Sequence, residues 1–371
     1  MTSSLALDPA ADAGISHGVA RTVAAPSQRV ADDKAMLRTA AELTRSLGKP
    51  NAAIYWGDLI ASVTVGYGAL AAAILVDSTA LAVVAGVVSM LALYRALSFI
   101  HELTHIKHAA LPGFRMGWNA LVGVPLLTPS FMYEGVHNLH HAKTRYGTSE
   151  DPEYLPLALM KPWTLPLFIV VSALAPIALL FRYAVLSPLS LVVPGLRKVV
   201  VERFSALAIN PSFRRRMPEG AFRAQWNRIE AAASLWGIAL IAMVATGVIP
   251  LRAFLIFLGV VSGLAVINQV RTLVAHLWEN EGEAMSVTAQ YLDTVNVPPP
   301  ALLPVLWAPV GLRYHALHHL LPGVPYHALG EAHRRLSKAL DAESPYHKAS
   351  YPGLPGLVWK IARSTMVMRP R

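Results

Sequence analysis

Four apolar runs fix what this chain of 371 residues can become. Asp58 to Val76, Thr79 to Ile100, Ala231 to Ile249 and Leu251 to Val270 each reach about the 20 residues a helix needs to cross some 30 Å of hydrocarbon. No water reaches backbone N–H and C=O groups there, so runs of this length span as helices that satisfy their own backbone. Asp77-Ser78 and Pro250 separate the members of each pair and make two hairpins. Only 15% of the residues are charged and mean hydropathy is +0.44, against about 25% charged in soluble domains.

The connections set the orientation. The Asp77-Ser78 turn carries no Lys or Arg, whereas the outer flanks and the run Arg214-Arg215-Arg216 are basic, which places the flanks in the cytoplasm. The formal charge of +10 is spread through these connections without a recognition motif, so no nucleic-acid partner is expected. Trp118 to Met132 is interrupted by Pro125 and Pro129 and reads as re-entrant or interfacial, admissible where protein covers its backbone. Thr164 to Val193 is apolar around Arg182. If its flanks share a side it crosses an even number of times, as an interfacial segment or a short hairpin. Gly66-Tyr67-Gly68 lies inside an apolar run with no strand before it and reads as helix packing.

Histidine is concentrated where these runs end. His101-Glu102-Leu103-Thr104-His105, His137-Asn138-Leu139-His140-His141 and His315-Ala316-Leu317-His318-His319 repeat one design. On a helix, positions i, i+3 and i+4 share a face, so each stretch offers a coordinating surface. Random placement of 14 His in 371 residues yields about 0.02 occurrences of H-x-x-H-H, and the chain has two. His276 follows the fourth run. One metal rarely takes more than about five protein nitrogens, so nine imidazoles imply two metals. The chain has no Cys, which excludes thiolate zinc and Fe–S ligation within it. Asp151, beside Pro152 and Glu153, is a candidate to hold the second ring nitrogen of a ligating His.

These stretches resemble the membrane fatty acid desaturase and hydroxylase superfamily, whose three histidine boxes appear in order as HELTH, HNLHH and HALHH, with boxes one and two between the hairpins and box three after the second. The segment HHLLPGVPYHALGEAHRRL from His318 to Leu336 is similar to the bacterial form of box three. The resemblance runs from about Tyr55 to Leu340. It implies a non-haem di-iron enzyme that uses O₂ and two electrons to attack an unactivated C–H bond. It further implies His101, His105, His137, His140, His141, His276, His315, His318 and His319 as iron ligands. In acyl-CoA desaturases an Asn four residues before the counterpart of His276 completes the shell through water, and here that position is Thr272. Glu102, Asp151 and Thr272 are therefore candidates for supporting the ligands.

The expected fold is an all-α integral membrane protein: two transmembrane hairpins of about four spans, interfacial or re-entrant helices, and a cytoplasmic helical cap carrying the boxes. Residues 1–50 would form a cytoplasmic, partly mobile segment with an interfacial helix from Ala31 to Leu47, residues 51–345 the catalytic domain, and residues 346–371 a surface tail with an amphipathic helix from Gly356 to Met368. No signal peptide is read, and the place is a bacterial-type inner membrane with the site on the cytoplasmic side. Desaturation of a fatty acid or lipid acyl chain leads. Hydroxylation, oxidative decarboxylation to a terminal alkene and carotenoid oxygenation share the same boxes. HELTH also fits an H-E-x-x-H zinc protease, which leaves the other two boxes idle. Electrons would come from a separate ferredoxin or similar carrier with its reductase. Substrate contacts are sought in an apolar tunnel near Tyr94, Phe99 and Trp278, and head-group contacts at Arg115, Lys143, Arg145 and Arg313, each of which doubles as a positive-inside flank.

Overall fold

The computed structural model describes residues 30–366; the mobile stretch expected before residue 30 lies outside them. Among the described residues the chain is helical with isolated bridges and no strand. In chain order, the helices used below are α1 (Lys34–Thr44), α2 (Ala52–Leu75), α3 (Thr79–His105), α4 (His137–His140), α5 (Thr164–Leu189), α6 (Gly220–Ala245), α7 (Leu251–Leu273), α8 (His315–Leu320), α9 (Leu329–Ala339) and α10 (Leu354–Met366).

The first hairpin starts and turns on side-chain caps. Asn51 Oδ1 accepts from the N–H groups of Ala53 and Ile54 at 3.0 and 3.3 Å, and Ser78 Oγ accepts from Leu81 N at 3.5 Å, satisfying donors that a helix start leaves free. At Gly66 a Cβ would come within 2.6 Å of Leu93, so glycine there lets α2 and α3 close together. α3 continues past its apolar run to His105, which puts box one on its last helical turns.

The segment after α3 folds back on itself. Asn119 Oδ1 accepts from Ser130 N at 2.9 Å and Asn119 Nδ2 donates to Ser130 Oγ at 2.9 Å. Carbonyls left open by the break find donors elsewhere: Tyr67 Oη donates to Leu121 O at 2.9 Å and Trp236 Nε1 to Pro125 O at 3.1 Å. This is how irregular backbone is tolerated at membrane depth, and it matches the re-entrant reading.

Among the described residues five helices, not four, are long and apolar enough to cross a membrane, the fifth being α5. Its contacts nevertheless turn it back. Leu165 packs in one cluster with Leu273 at the end of α7, and Ser262 Oγ of α7 donates to Ala173 O at 2.8 Å. Pro176 and Leu180 border a small cavity with Leu240 and Phe254, near the α6–α7 turn. Arg182 Nη2 then reaches Glu230 Oε1 of α6 at 2.7 Å, back toward the start of α6. α5 thus descends along α7 and climbs along α6, bent at a 3₁₀ turn over Val171–Leu174, where the following proline removes a backbone donor. Arg182 is accommodated by Glu230 together with Ser187 Oγ at 2.6 Å and Ser205 Oγ at 2.7 Å, while Arg197 Nη2 holds the other Glu230 oxygen at 2.7 Å. α6 and α7 supply two crossings, so box one and box three meet on one side.

The cap closes over that side. α1 lays Met36 and Ala40 against Leu329, Ala332 and Leu336 of α9, so the helix expected on the membrane surface docks on the cap. α10 buries Leu357 and Ile361 in the cluster that contains Trp278.

Candidate metal centre

Box one ends α3, box two forms α4, box three forms α8, and His276 comes three residues after α7. α8 is pinned by Asn296, whose Oδ1 accepts from Leu317 N at 3.0 Å, and by Ala316 N donating to Val295 O at 3.2 Å. Residues 274–278 run beside the returning chain, with Leu277 N on Asp293 O at 2.7 Å and Val295 N on Ala275 O at 3.1 Å. This pairing carries His276 to the cap.

The nine imidazoles fall into two groups. His101, His105, His137, His141 and His318 form one; His140, His276, His315 and His319 form the other. Within each, one nitrogen per ring lies within 4.8 Å of all the rest. Seven of the nine are buried, His105 and His141 being half-buried. Both H-x-x-H-H boxes divide the same way. The first and last His share a group (His137 with His141, His315 with His319) and the middle one, His140 or His318, crosses to the other.

The donors suit metal ions. The Nε2 atoms of His137 and His141 are 2.9 Å apart, those of His318 and His105 3.1 Å, and those of His276 and His315 3.1 Å. An edge of about 3 Å is what metal–nitrogen bonds of about 2.1 Å produce. Both ring nitrogens of His101 and Nε2 of His140 are buried with no protein partner, which is costly unless something else meets them.

Carboxylates behind the rings fix their tautomers. His140 Nδ1 donates to Asp151 at 2.9 Å to either oxygen, and Asp151 itself accepts from Gly147 N and Glu153 N, each at 2.8 Å. His137 Nδ1 donates to Glu153 Oε1 at 2.8 Å, and Tyr133 Oη donates to Glu153 Oε2 at 2.6 Å. His276 Nδ1 meets Tyr146 Oη at 2.9 Å, which donates to Asp293 Oδ2 at 2.7 Å. With the proton held on Nδ1, each Nε2 turns a lone pair inward. Burial holds His137, His141, His276, His315, His318 and His319 well below the usual imidazole range, keeping them in the neutral, ligating form. At His140 burial opposes protonation but the Asp151 carboxylate outweighs it and raises the value. Burial pushes the Glu153 and Asp293 carboxyls up to about 7.

The fatty acid desaturase family model matches residues 77–351. The chain belongs to the fatty acid desaturase family. It is 53% identical over 326 residues to a ceramide hydroxylase of Caulobacter vibrioides (strain NA1000 / CB15N), covering 88% of this chain and 93% of that protein. No solved structure matches. As a family member it is an oxidoreductase acting on lipid acyl chains in the membrane desaturase and hydroxylase superfamily.

Within this desaturase-family site, Asp151 stands where a ring-orienting carboxylate is expected. Glu102 does not orient a His. It accepts from Tyr55 Oη and from Tyr326 N at 3.1 Å, tying box one to α2 and to the loop after box three. Both bonds fall on Oε2 of the carboxylate that a zinc protease would use as its base. Thr272 lies in the last turn of α7 and makes no side-chain hydrogen bond among the described residues. Glu153 and Asp293 were missed as supporting groups. The Asp-Pro-Glu run offered a hint of the first, whereas Asp293 reaches the site through chain pairing that spacing does not reveal. Tyr94, Phe99 and Trp278 are buried in helix and loop packing. A groove of about 460 Å³ between α2, α3 and α7 lies at the opposite end, by Arg252, and has no part in this chemistry.

Proposed function

We propose that the chain hydroxylates a ceramide-type lipid at two irons, with His101, His105, His137, His141 and His318 holding one and His140, His276, His315 and His319 the other. The observation that carries the reaction is the extent of likeness to the ceramide hydroxylase, 53% identity along 93% of that protein. It supports putting hydroxylation ahead of desaturation, although the boxes serve both. Two histidine groups support a metal pair, and imidazole donors suit iron.

Held by these histidines, two irons would supply the oxidant from O₂. In balance, lipid C–H, O₂, two electrons and two protons become C–OH and water. The chain's own part is to orient the rings through Asp151, Glu153 and Tyr146–Asp293, to keep six of them neutral by burial, and to exclude water. The electrons come from a ferredoxin-like carrier, for which the basic connections are an electrostatic landing site. Arg197, Lys198 and Arg214 to Arg216 support a cytoplasmic position for the site in an inner membrane.

The test is turnover of ceramide by iron-loaded protein with a reducing carrier under isotopically heavy O₂. Mass spectrometry should find one heavy oxygen in the lipid product. Loss of two hydrogens without heavy oxygen would return desaturation to first place.

A further inference from the structure

The last turns of α7 carry polar residues that the metal scaffold does not use. Asn268, Arg271 and Thr272 are spaced three and four apart and so share a face. Polar side chains in a membrane helix are costly and mark paths for polar matter. Arg271 has no carboxylate within ion-pair distance among the described residues: Nη2 makes one long bond, 3.4 Å to Asn268 Oδ1, the guanidinium also meets the Tyr94 hydroxyl, and Nε is buried without a partner. Its charge bears on His101 of one histidine group, on His276 and His315 of the other, and on Tyr133 and Glu153 behind them. Residues 265–272 are all partly exposed, whereas residues 273–278 are buried, so exposure along α7 ends at Thr272, four residues before His276.

The other basic residues near the boxes are engaged. Arg115 pairs with Glu134 at 2.6 Å, Lys143 with Asp32 at 2.9 Å and Arg145 with Glu150 at 3.6 Å. Arg313 donates to the carbonyls of Val297 and Ala301 at 2.8 and 2.7 Å. Arg115 also keeps buried nitrogens without a hydrogen bond, but Arg271 alone of these five has neither a carboxylate nor a backbone carbonyl as partner among the described residues. If mid-chain methylenes lay under the metals, this guanidinium would face hydrocarbon with only the Asn268 and Tyr94 side chains to meet its five donors, an arrangement that is disfavoured.

We propose that Arg271 anchors the polar end of the lipid substrate, its spare donors taking an oxygen of a ceramide amide or of a fatty acid carboxylate, so that the carbons beside that end come under the histidine pair. This rests on the lipid-oxidising reading above and adds to it the direction of the bound lipid. Its consequence is that the new oxygen enters within a few carbons of the polar group.

The test compares wild type with Arg271→Met in detergent, by displacement of a fluorescent acyl chain with a hexadecanoyl ceramide, hexadecanoic acid or hexadecane. Losing a charged hydrogen bond weakens binding at least about tenfold, so the variant should lose that much for the ceramide or the acid and nothing for hexadecane. Which of the two falls identifies the oxygen. Equal affinities in both proteins, or an equal loss for hexadecane, overturns the proposal, as does mid-chain oxidation by wild type. If the Met variant does not fold, Arg271→Lys keeps the charge without the fork and should show a smaller loss, still confined to oxygen-bearing lipids. Binding is read without turnover. Selective binding with no oxidised product would sink the reaction and keep Arg271, whereas oxidised lipid with unselective binding would sink Arg271 alone.

Discussion

Asp151 and Glu153 are separated by one proline yet steady different groups, His140 in the four-histidine set and His137 in the five-histidine set. Removing a carboxylate that orients a ligating ring costs about 10 to 100-fold in metal affinity. Asp151→Ala should therefore deplete the four-histidine site and Glu153→Ala the five-histidine site, read as distinct iron signals by Mössbauer spectroscopy. Identical depletion in the two variants would mean that the groups do not act as separate sites. The metal-free protein has a pH signature of its own. Six imidazoles held low by burial take up protons below about pH 6.5 only when unfolded, which destabilises the fold as pH drops. Glu153 and Asp293, raised by burial to about 7, act oppositely, because the folded carboxyls hold protons that the unfolded ones release between about pH 7 and 4. His140, raised by Asp151, acts with the carboxyls. Six outweigh three, so the Tm of chelator-treated protein should fall between pH 7 and 5; a rising Tm would show that the raised groups dominate.

The helices at the site show what spacing can and cannot reveal. Spacing at i, i+3 and i+4 predicts one coordinating surface, and box one behaves so. In the other two boxes i+3 and i+4 sit on opposite flanks of i, about 100° apart around the axis, far enough for adjacent rings to face different metals. That division depends on which elements surround α4 and α8, and no local pattern contains it. α5 teaches the same lesson for hydropathy: its run is long enough to span, and only its contacts with Ser262, Leu240 and Glu230 show that it returns. Because Arg182 and Glu230 are buried together, Glu230→Ala should destabilise by about 3–5 kcal/mol, the cost of leaving a buried charge unpaired. Thermal unfolding in detergent would show it, while Glu343→Ala on the exposed loop should leave the Tm unchanged. Equal Tm values for wild type and Glu230→Ala would mean that Arg182 finds other compensation.

For the molecule as a whole, the meeting of three distant boxes is a statement about crossings. α3 brings box one to one face, α6 and α7 leave that face and return to it, and α5 must therefore leave no net displacement. Hydropathy alone admits a fifth crossing, which would carry His276 and box three to the opposite side from box one. The chain has no Cys, so single introduced cysteines report sidedness without background. Lys198→Cys, on the exposed stretch after α5, and Glu343→Cys, on the cap, should react with an impermeant thiol reagent from the same side of sealed vesicles. Val248→Cys, at the α6–α7 turn and 71% exposed, should react only from the other. If Lys198→Cys sides with Val248→Cys, α5 crosses and the histidine groups cannot assemble from this topology. If all three report as expected, α5 returns to the side it left, and both histidine groups lie on the side that carries Arg214 to Arg216.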